Sequence, residues 1–146
     1  MLRKRDIRDP LLFIAWMISA VALFGSLFFS EVLNYEPCTL CWYERMAMYP
    51  LFILLGIAVI RKDYSISIYS IVFSIIGAAL SLYHYGIQKL PALADFSISC
   101  GRTSCTEEYI NLFGFVTIPL LSFIAFLFIL VFSAIIWKKN KEVRWF

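Results

Sequence analysis

The stretch that decides the fold is Pro37-Cys38-Thr39-Leu40-Cys41-Trp42-Tyr43-Glu44-Arg45. It places a Cys-x-x-Cys pair at the start of a long apolar segment that continues to about residue 60. An apolar helix of about 20 residues is long enough to cross the hydrocarbon core of a bilayer. The stretch therefore predicts a membrane helix that carries two cysteines at its start and an arginine one turn further in.

The composition of the 146-residue chain is typical of an integral membrane protein. Its hydrophobic fraction is 62% and its charged fraction is 16%, whereas soluble domains average roughly 45–50% and about 25%. A soluble protein of this length cannot bury so much apolar surface, and the length fits one compact unit. The sequence has no basic run interleaved with aromatic residues, which argues against a nucleic-acid partner.

Four apolar segments predict four helices in a single membrane domain, 1–146, embedded in the lipid bilayer. The expected fold class is an all-α membrane protein, a four-transmembrane-helix antiparallel bundle. We expect a ligand pocket between the outer end of the second helix and its neighbours. The predicted spans are about 11–33, 42–60, 65–85 and 115–137.

The distribution of Lys and Arg predicts the orientation of this bundle. Ten of the thirteen basic residues lie in the amino-terminal tail, the 61–64 connection and the carboxyl-terminal tail. Because Lys and Arg near membrane spans mark the cytoplasmic side, both termini are expected in the cytoplasm. The loops 34–41 and 86–114, which hold all four cysteines, are then extracytoplasmic. The aromatic run 109–115 is expected to form a short interfacial helix in the second of these loops.

The two cysteine pairs are expected to be redox pairs or structural staples, since disulfides form and persist outside the cytoplasm. Stapling explains Cys38 and Cys41 poorly, because closing so short a loop removes little entropy from the unfolded chain. A Cys-x-x-Cys pair at a helix start instead favours a reactive thiolate. Cys100 and Cys105 lie in a loop that a soluble thiol protein can reach. The two pairs together predict a relay of thiol–disulfide exchanges.

Arg45 lies four residues beyond Cys41, on the same helix face and about 6 Å deeper. A cation at this position stabilises a Cys41 thiolate, and it can also hold an oxygen of a bound quinone. An arginine at the edge of the hydrocarbon is costly, which favours a functional role. Snorkelling to the headgroups, or pairing with Glu44, is the alternative explanation.

These residues resemble the DsbB family of membrane thiol oxidases, and most closely its Gram-positive BdbC-type members. The stretch Pro37-Cys38-x-Leu40-Cys41-x-Tyr43-x-Arg45 matches the quinone-proximal motif of that family. The likeness covers nearly the whole chain, four spans included. One departure is the spacing of the loop cysteines, because only four residues separate Cys100 from Cys105.

The resemblance implies a quinone-dependent thiol-disulfide oxidoreductase in the bacterial cytoplasmic membrane. It implies that Cys41 is the thiolate next to the quinone and that Cys38 exchanges with the loop pair. Arg45 would bind and polarise the quinone, with Glu44 adjacent to that site. The loop pair would receive electrons from a DsbA/BdbD-like thioredoxin-fold oxidase. The expected acceptor is menaquinone, rather than ubiquinone, if the host is Gram-positive, and no metal is expected.

His84 is the only histidine and lies near the outer end of the third span. It is a candidate to bond a quinone oxygen or to pass a proton. A histidine at the membrane interface between two tyrosines, Tyr83 and Tyr85, is alternatively an anchor.

Three other functions remain open at this point. Four cysteines fit a four-thiolate metal site, although reduced thiols are disfavoured outside the cytoplasm. A non-catalytic scaffold stapled by two disulfides is a second possibility. A third is electron flow in the reverse direction, as in quinone-reducing enzymes of the vitamin K epoxide reductase type, since direction depends on reduction potentials.

Overall fold

The computed structural model describes residues 6–34, 39–90 and 118–145. All the regular structure within these ranges is helical, and four of the helices are long. The long helices are α1 (Arg8–Glu31), α2 (Thr39–Arg61), α3 (Ser67–Lys89) and α4 (Ile118–Arg144), and a one-turn 3₁₀ helix, Tyr64–Ile66, joins α2 to α3. The predicted all-α, four-helix fold class is confirmed.

Each of the four long helices is long and apolar enough to cross a membrane. The 23 residues of α2 make about 35 Å of helix, against about 30 Å of hydrocarbon. Large apolar side chains face outward, among them Phe24 on α1 and Ile60 on α2, as expected of a surface that lipid covers. The assignment of the whole chain to one membrane domain stays a prediction.

Each helix packs against two others, so that the four form a ring in the order α1, α2, α3, α4 and back to α1. The shared core is built mainly by aliphatic and aromatic side chains from α2 and α4. Leu51 and Leu55 of α2 and Phe126 and Ile129 of α4 are fully buried. This core fixes the relative positions of the helix ends, where the polar residues lie.

The contact between α3 and α4 is close because a glycine faces a phenyl ring. A Cβ atom built on Gly77 would lie 2.2 Å from Cε1 of Phe126. Gly77 and Ala78 are buried, whereas Ala79 faces outward. The ring of Phe126 therefore occupies the space that any larger side chain at position 77 would need.

One end of the bundle is tied together by charged side chains. Arg8 donates through Nε to both carboxylate oxygens of Asp6, at 3.0 and 2.9 Å, and through Nη1 to Asn140 of α4 at 3.2 Å. Asp9 accepts from the Tyr64 hydroxyl and from Lys62. The Arg8 guanidinium keeps the pKa of the Asp6 carboxyl below its usual value, so this pair is charged at neutral pH.

These contacts bring three of the predicted cytoplasmic segments to the same end of the bundle, as antiparallel neighbours require. The membrane face at which this end lies stays a prediction. The predicted interfacial helix at 109–115 lies outside the described residues.

Candidate functional site between α1, α2 and α4

One face of α2 carries the residues that the sequence assigns to the site. Cys41, Glu44, Arg45 and Met48 follow the spacing i, i+3, i+4, i+7 and therefore share a face. All four line a cavity of about 670 Å³ that lies between α1, α2 and α4. The sequence predicts a pocket between this end of α2 and its neighbours, and the cavity lies there.

The cavity is polar at one end and apolar along the rest of its length. Its lining on α1 extends from Phe13 to Ser30, which is about 25 Å of helix. Its lining on α4 extends from Ile118 to Phe128. Among the described residues, the polar ones in its lining are Ser26, Ser30, Cys41, Glu44, Arg45 and Ser122. A ligand that matches this lining has a small polar head and a long apolar tail.

Arg45 is held inside the bundle by α1. Its Nε donates to Ser26 Oγ and its Nη2 donates to the Ser26 carbonyl oxygen, both at 2.8 Å. The residue is only 8% exposed, so its charge is not carried out to the headgroups. Within the part of the chain that the structure describes, Ser26 accepts two of the five guanidinium N–H groups. The site thus contains a fixed cation on the wall of the cavity, one turn below Cys41.

Glu44 bonds to helices other than the one that holds Arg45. Its Oε1 lies 2.8 Å from Nδ1 of His84 on α3, and its Oε2 accepts from the Ser122 hydroxyl of α4 at 2.6 Å. Glu44 is 7% exposed and His84 is 1% exposed. Buried ionisable groups are tolerated when they are paired and hydrogen-bonded. The two adjacent charged residues of α2 therefore engage different helices.

Ser122 connects Glu44 to two further groups. Its Oγ lies 2.9 Å from Oγ of Ser81 on α3 and 3.0 Å from the carbonyl oxygen of Pro119. Because Ser122 and Glu44 both line the cavity, this network reaches the ligand space. His84 bonds to Glu44, which lines the cavity, but His84 itself does not line it. Its predicted bond to a quinone oxygen stays a prediction.

Cys41 is the one predicted catalytic cysteine that the structure describes. It is half-buried in the first turn of α2, where the backbone N–H groups of a helix start favour a thiolate. Cys38, Cys100 and Cys105 lie outside the described residues. The geometry of the predicted exchange between the two pairs is therefore left as a prediction.

Three serines of the site, Ser26, Ser81 and Ser122, were not predicted from the sequence. Each lies within an apolar segment, where serine is a common packing residue between membrane helices. Only Ser81 could have been predicted as a site residue, because it precedes His84 by three residues and so shares its helix face. Ser26 and Ser122 bond to residues of α2, which is distant from both in the sequence.

Comparison with protein families matches residues 8–136 to the family described as Disulfide bond formation protein DsbB. The chain belongs to the DsbB family. The described residues of this DsbB-family protein contain four candidate membrane-spanning helices. It is a multi-pass membrane protein and a protein disulfide oxidoreductase. The membership of the DsbB family that the motif around Cys41 predicts is confirmed.

Curated relatives of this DsbB-family protein carry matching names. It is 55% identical over 130 residues to Probable disulfide formation protein C 1 of Bacillus cereus (strain ATCC 10987 / NRS 248), covering 89% of this chain and 93% of the relative. It is 40% identical over 135 residues to Disulfide bond formation protein C of Bacillus subtilis (strain 168), covering 92% and 98%. No solved structure matches the chain.

The four-thiolate alternative is not tested by the geometry. Among the residues that the structure describes, no three His, Cys, Asp or Glu side chains are grouped as a metal site. Three of the four cysteines that would form the alternative site lie outside those residues.

Proposed function

We propose that this DsbB-family protein passes electrons from the dithiol of a DsbA/BdbD-like thioredoxin-fold oxidase to the membrane quinone pool. Its reaction would regenerate the disulfide of that partner and so support disulfide formation in secreted proteins. The proposed location is the bacterial cytoplasmic membrane, with the cysteine loops on the extracytoplasmic side. The single observation that carries the proposal is that Cys41 and Arg45 line the same cavity.

The residues of the cavity fit a quinone. Its volume of about 670 Å³ lies within the range of roughly 300–1,000 Å³ that small-molecule sites occupy. The guanidinium of Arg45 supplies donors for a carbonyl oxygen, and the apolar lining suits a polyprenyl tail. Phe13 and Val21 line the cavity and are exposed, so the cavity is open along α1 and would admit a ligand dissolved in the bilayer.

The four cysteines would act in two successive exchanges. The dithiol of the partner reduces the pair Cys100–Cys105, and this pair reduces the pair Cys38–Cys41. Each exchange proceeds by attack of a thiolate and passes through a mixed disulfide. Cys41 then delivers the electron pair to the cavity, where a bound quinone supplies the two-electron acceptor.

Arg45 and the start of α2 would prepare Cys41 for this step. The fixed guanidinium favours the Cys41 thiolate, and it would also polarise a quinone oxygen that accepts charge during the transfer. Glu44 would lie beside the bound quinone, because it lines the cavity. His84 would act on the site through its hydrogen bond to Glu44. Menaquinone is the proposed acceptor because the relatives reported above are Bacillus proteins.

The proposal is tested by measuring quinone reduction with the purified protein in lipid vesicles. The assay contains a reduced thioredoxin-fold oxidase of the DsbA type and a menaquinone analogue. We expect Cys41→Ser to abolish quinone reduction, because the variant lacks the sulfur that transfers the electron pair. Met46→Ser is the matched control, since Met46 lies on the outward side of the same helix and is 61% exposed.

Other outcomes distinguish the alternatives. Retained oxidation of the partner by Cys41→Ser would favour the stapled scaffold. Equimolar zinc in protein purified without oxygen would favour the four-thiolate site. Net oxidation of quinol with reduction of the partner would show that electrons flow in the reverse direction.

A further inference from the structure

We propose that Ser122 is a positioning residue that lets Glu44 bind and release a proton without moving its carboxyl group. Glu44 thereby stores the proton that Cys41 loses on becoming a thiolate. This inference rests on the proposed function, because it assigns the source of one of the two protons that quinone reduction requires.

The first observation is that the Ser122 hydroxyl has more neighbours than it has protons. Its Oγ lies 2.6 Å from Glu44 Oε2, 3.0 Å from the Pro119 carbonyl oxygen and 2.9 Å from Ser81 Oγ. A hydroxyl donates one hydrogen bond and accepts up to two. The carbonyl of Pro119 can only accept. Ser122 therefore has two alternative acceptors for its single proton, Glu44 and Pro119.

When Glu44 is ionised, every polar group of the network has a partner. Ser122 donates to Oε2, and Ser81 donates to Ser122. A carboxylate can only accept, so Nδ1 of His84 carries the proton that bonds Oε1. Within the described part of the chain, the negative charge then receives two hydrogen bonds, one from α3 and one from α4.

When Glu44 is protonated on Oε2, the same atoms satisfy it after one bond rotation. The carboxyl O–H donates to Ser122, and the Ser122 proton turns to the Pro119 carbonyl oxygen. His84 continues to donate to Oε1. No heavy atom has to move between the two states, and no buried donor or acceptor loses its partner.

This property matters because the site is buried. Glu44 is 7% exposed, and Ser81 is fully buried. An unsatisfied buried donor or acceptor costs about 1–3 kcal/mol, and more when the group is charged. If only one protonation state were satisfied, the carboxyl group would be held in that state. A second acceptor for the Ser122 hydroxyl removes that restriction.

Two protons and two electrons pass from Cys38 and Cys41 to the quinone. The Cys41 thiol gives its proton to the Glu44 carboxylate, which produces a Cys41 thiolate and a neutral carboxyl group on the same helix face. The disulfide bond between Cys38 and Cys41 forms as two electrons leave the sulfur atoms for the quinone. The proton of the Cys38 thiol and the proton held by Glu44 complete the quinol, and Glu44 returns to the carboxylate.

The test compares Ser122→Thr with Ser122→Val. These two side chains have nearly the same shape, but only threonine keeps the hydroxyl. In the quinone-reduction assay we expect kcat of the valine variant to fall on the order of 10² relative to the threonine variant, the lower end for loss of an acid–base contribution. KM for the quinone should be equal in the two variants, because Arg45 is unchanged.

The second readout does not need quinone. Infrared difference spectra, reduced minus oxidised, are recorded for the quinone-free protein, with Glu44→Gln used to assign the carboxyl band. We expect a protonated-carboxyl band on reduction of the cysteines in the native protein and in Ser122→Thr, and none in Ser122→Val. If the valine variant does not fold, Ser122→Ala takes its place, with the same expected loss.

Equal kcat values and equal spectra for the hydroxyl and methyl variants would overturn the assignment of Ser122. If the proposed function itself is wrong, the quinone-reduction assay gives a different result. In that case the native protein itself would show no Cys41-dependent quinone reduction, whatever residue stands at position 122.

Discussion

At the scale of single residues, Arg45 illustrates how a charge is kept in the hydrocarbon region and still made available to a ligand. Both of its bonds to Ser26 use one edge of the guanidinium, through Nε and Nη2. A planar guanidinium has further donors in fixed directions, whereas an ammonium is a point charge on a flexible stem. The geometry of the fork, and not the charge alone, therefore positions the donors that face the cavity.

We predict that Arg45→Lys raises KM for the quinone by about 10-fold to 100-fold, since a hydrogen bond to a charged group is worth about 1.5–3 kcal/mol. The lysine keeps the positive charge but loses the bidentate anchor on Ser26. The measurement is the dependence of the quinone-reduction rate on quinone concentration. Arg61→Lys, at the exposed end of the same helix, is the control and should leave KM unchanged. An unchanged KM in Arg45→Lys would exclude a role of the fork in quinone binding.

The site was predictable from sequence only where its residues share one helix. The helical spacing of Cys41 and Arg45 is visible in the chain, and the cavity contains both. Ser26 and Ser122 are not visible in this way, because a serine in an apolar segment has no local feature that identifies its neighbours. Their roles depend on which helices pack together, and that information lies in side-chain packing across the bundle.

At the scale of helices, the apolar runs predicted four elements but not their ends. The helix α4 continues through Lys138 and Lys139 to Arg144, beyond the predicted span 115–137. Hydropathy measures how far the hydrocarbon extends, whereas a helix ends where backbone hydrogen bonds stop. Lysine and arginine are good helix formers, so a membrane helix continues readily into the aqueous phase.

The packing of α3 on α4 gives a prediction for Gly77→Ala. The added methyl group would meet the fully buried ring of Phe126 at 2.2 Å, so the ring or the helices would have to shift. We expect the variant to lose about 1–3 kcal/mol of stability, the usual cost of overpacking a core. The measurement is thermal unfolding of the purified protein in detergent.

The matched control for this prediction is Gly25→Ala. A Cβ atom at Gly25 has no neighbouring atom within 4 Å, so the methyl group meets no obstacle. Alanine is the better helix former by about 0.8–1 kcal/mol, and the control should be as stable as the native protein or more stable. Equal unfolding temperatures for the two variants would contradict the close packing of α3 on α4.

At the scale of the whole molecule, the bundle has two chemically different ends. One end is tied by Arg8, Asp9, Lys62 and Asn140. The other end holds the buried network around Glu44 and the polar part of the cavity. The charge count predicts the first end to be cytoplasmic, because Lys and Arg near the spans are retained on that side. The site would then face the compartment in which disulfides persist.

This orientation is tested by labelling single cysteines in a background where all four native cysteines are replaced by serine. Leu33→Cys lies in the connection after α1, and Arg61→Cys lies at the end of α2; both native residues are exposed. We expect a membrane-impermeant maleimide to label Leu33→Cys in intact cells, and Arg61→Cys only after the membrane is opened. The opposite pattern would place the site at the cytoplasmic face, where thiols are kept reduced. It would then count against oxidation of a partner in secretion, since only an extracytoplasmic Cys41 can receive electrons from a secreted thiol oxidase.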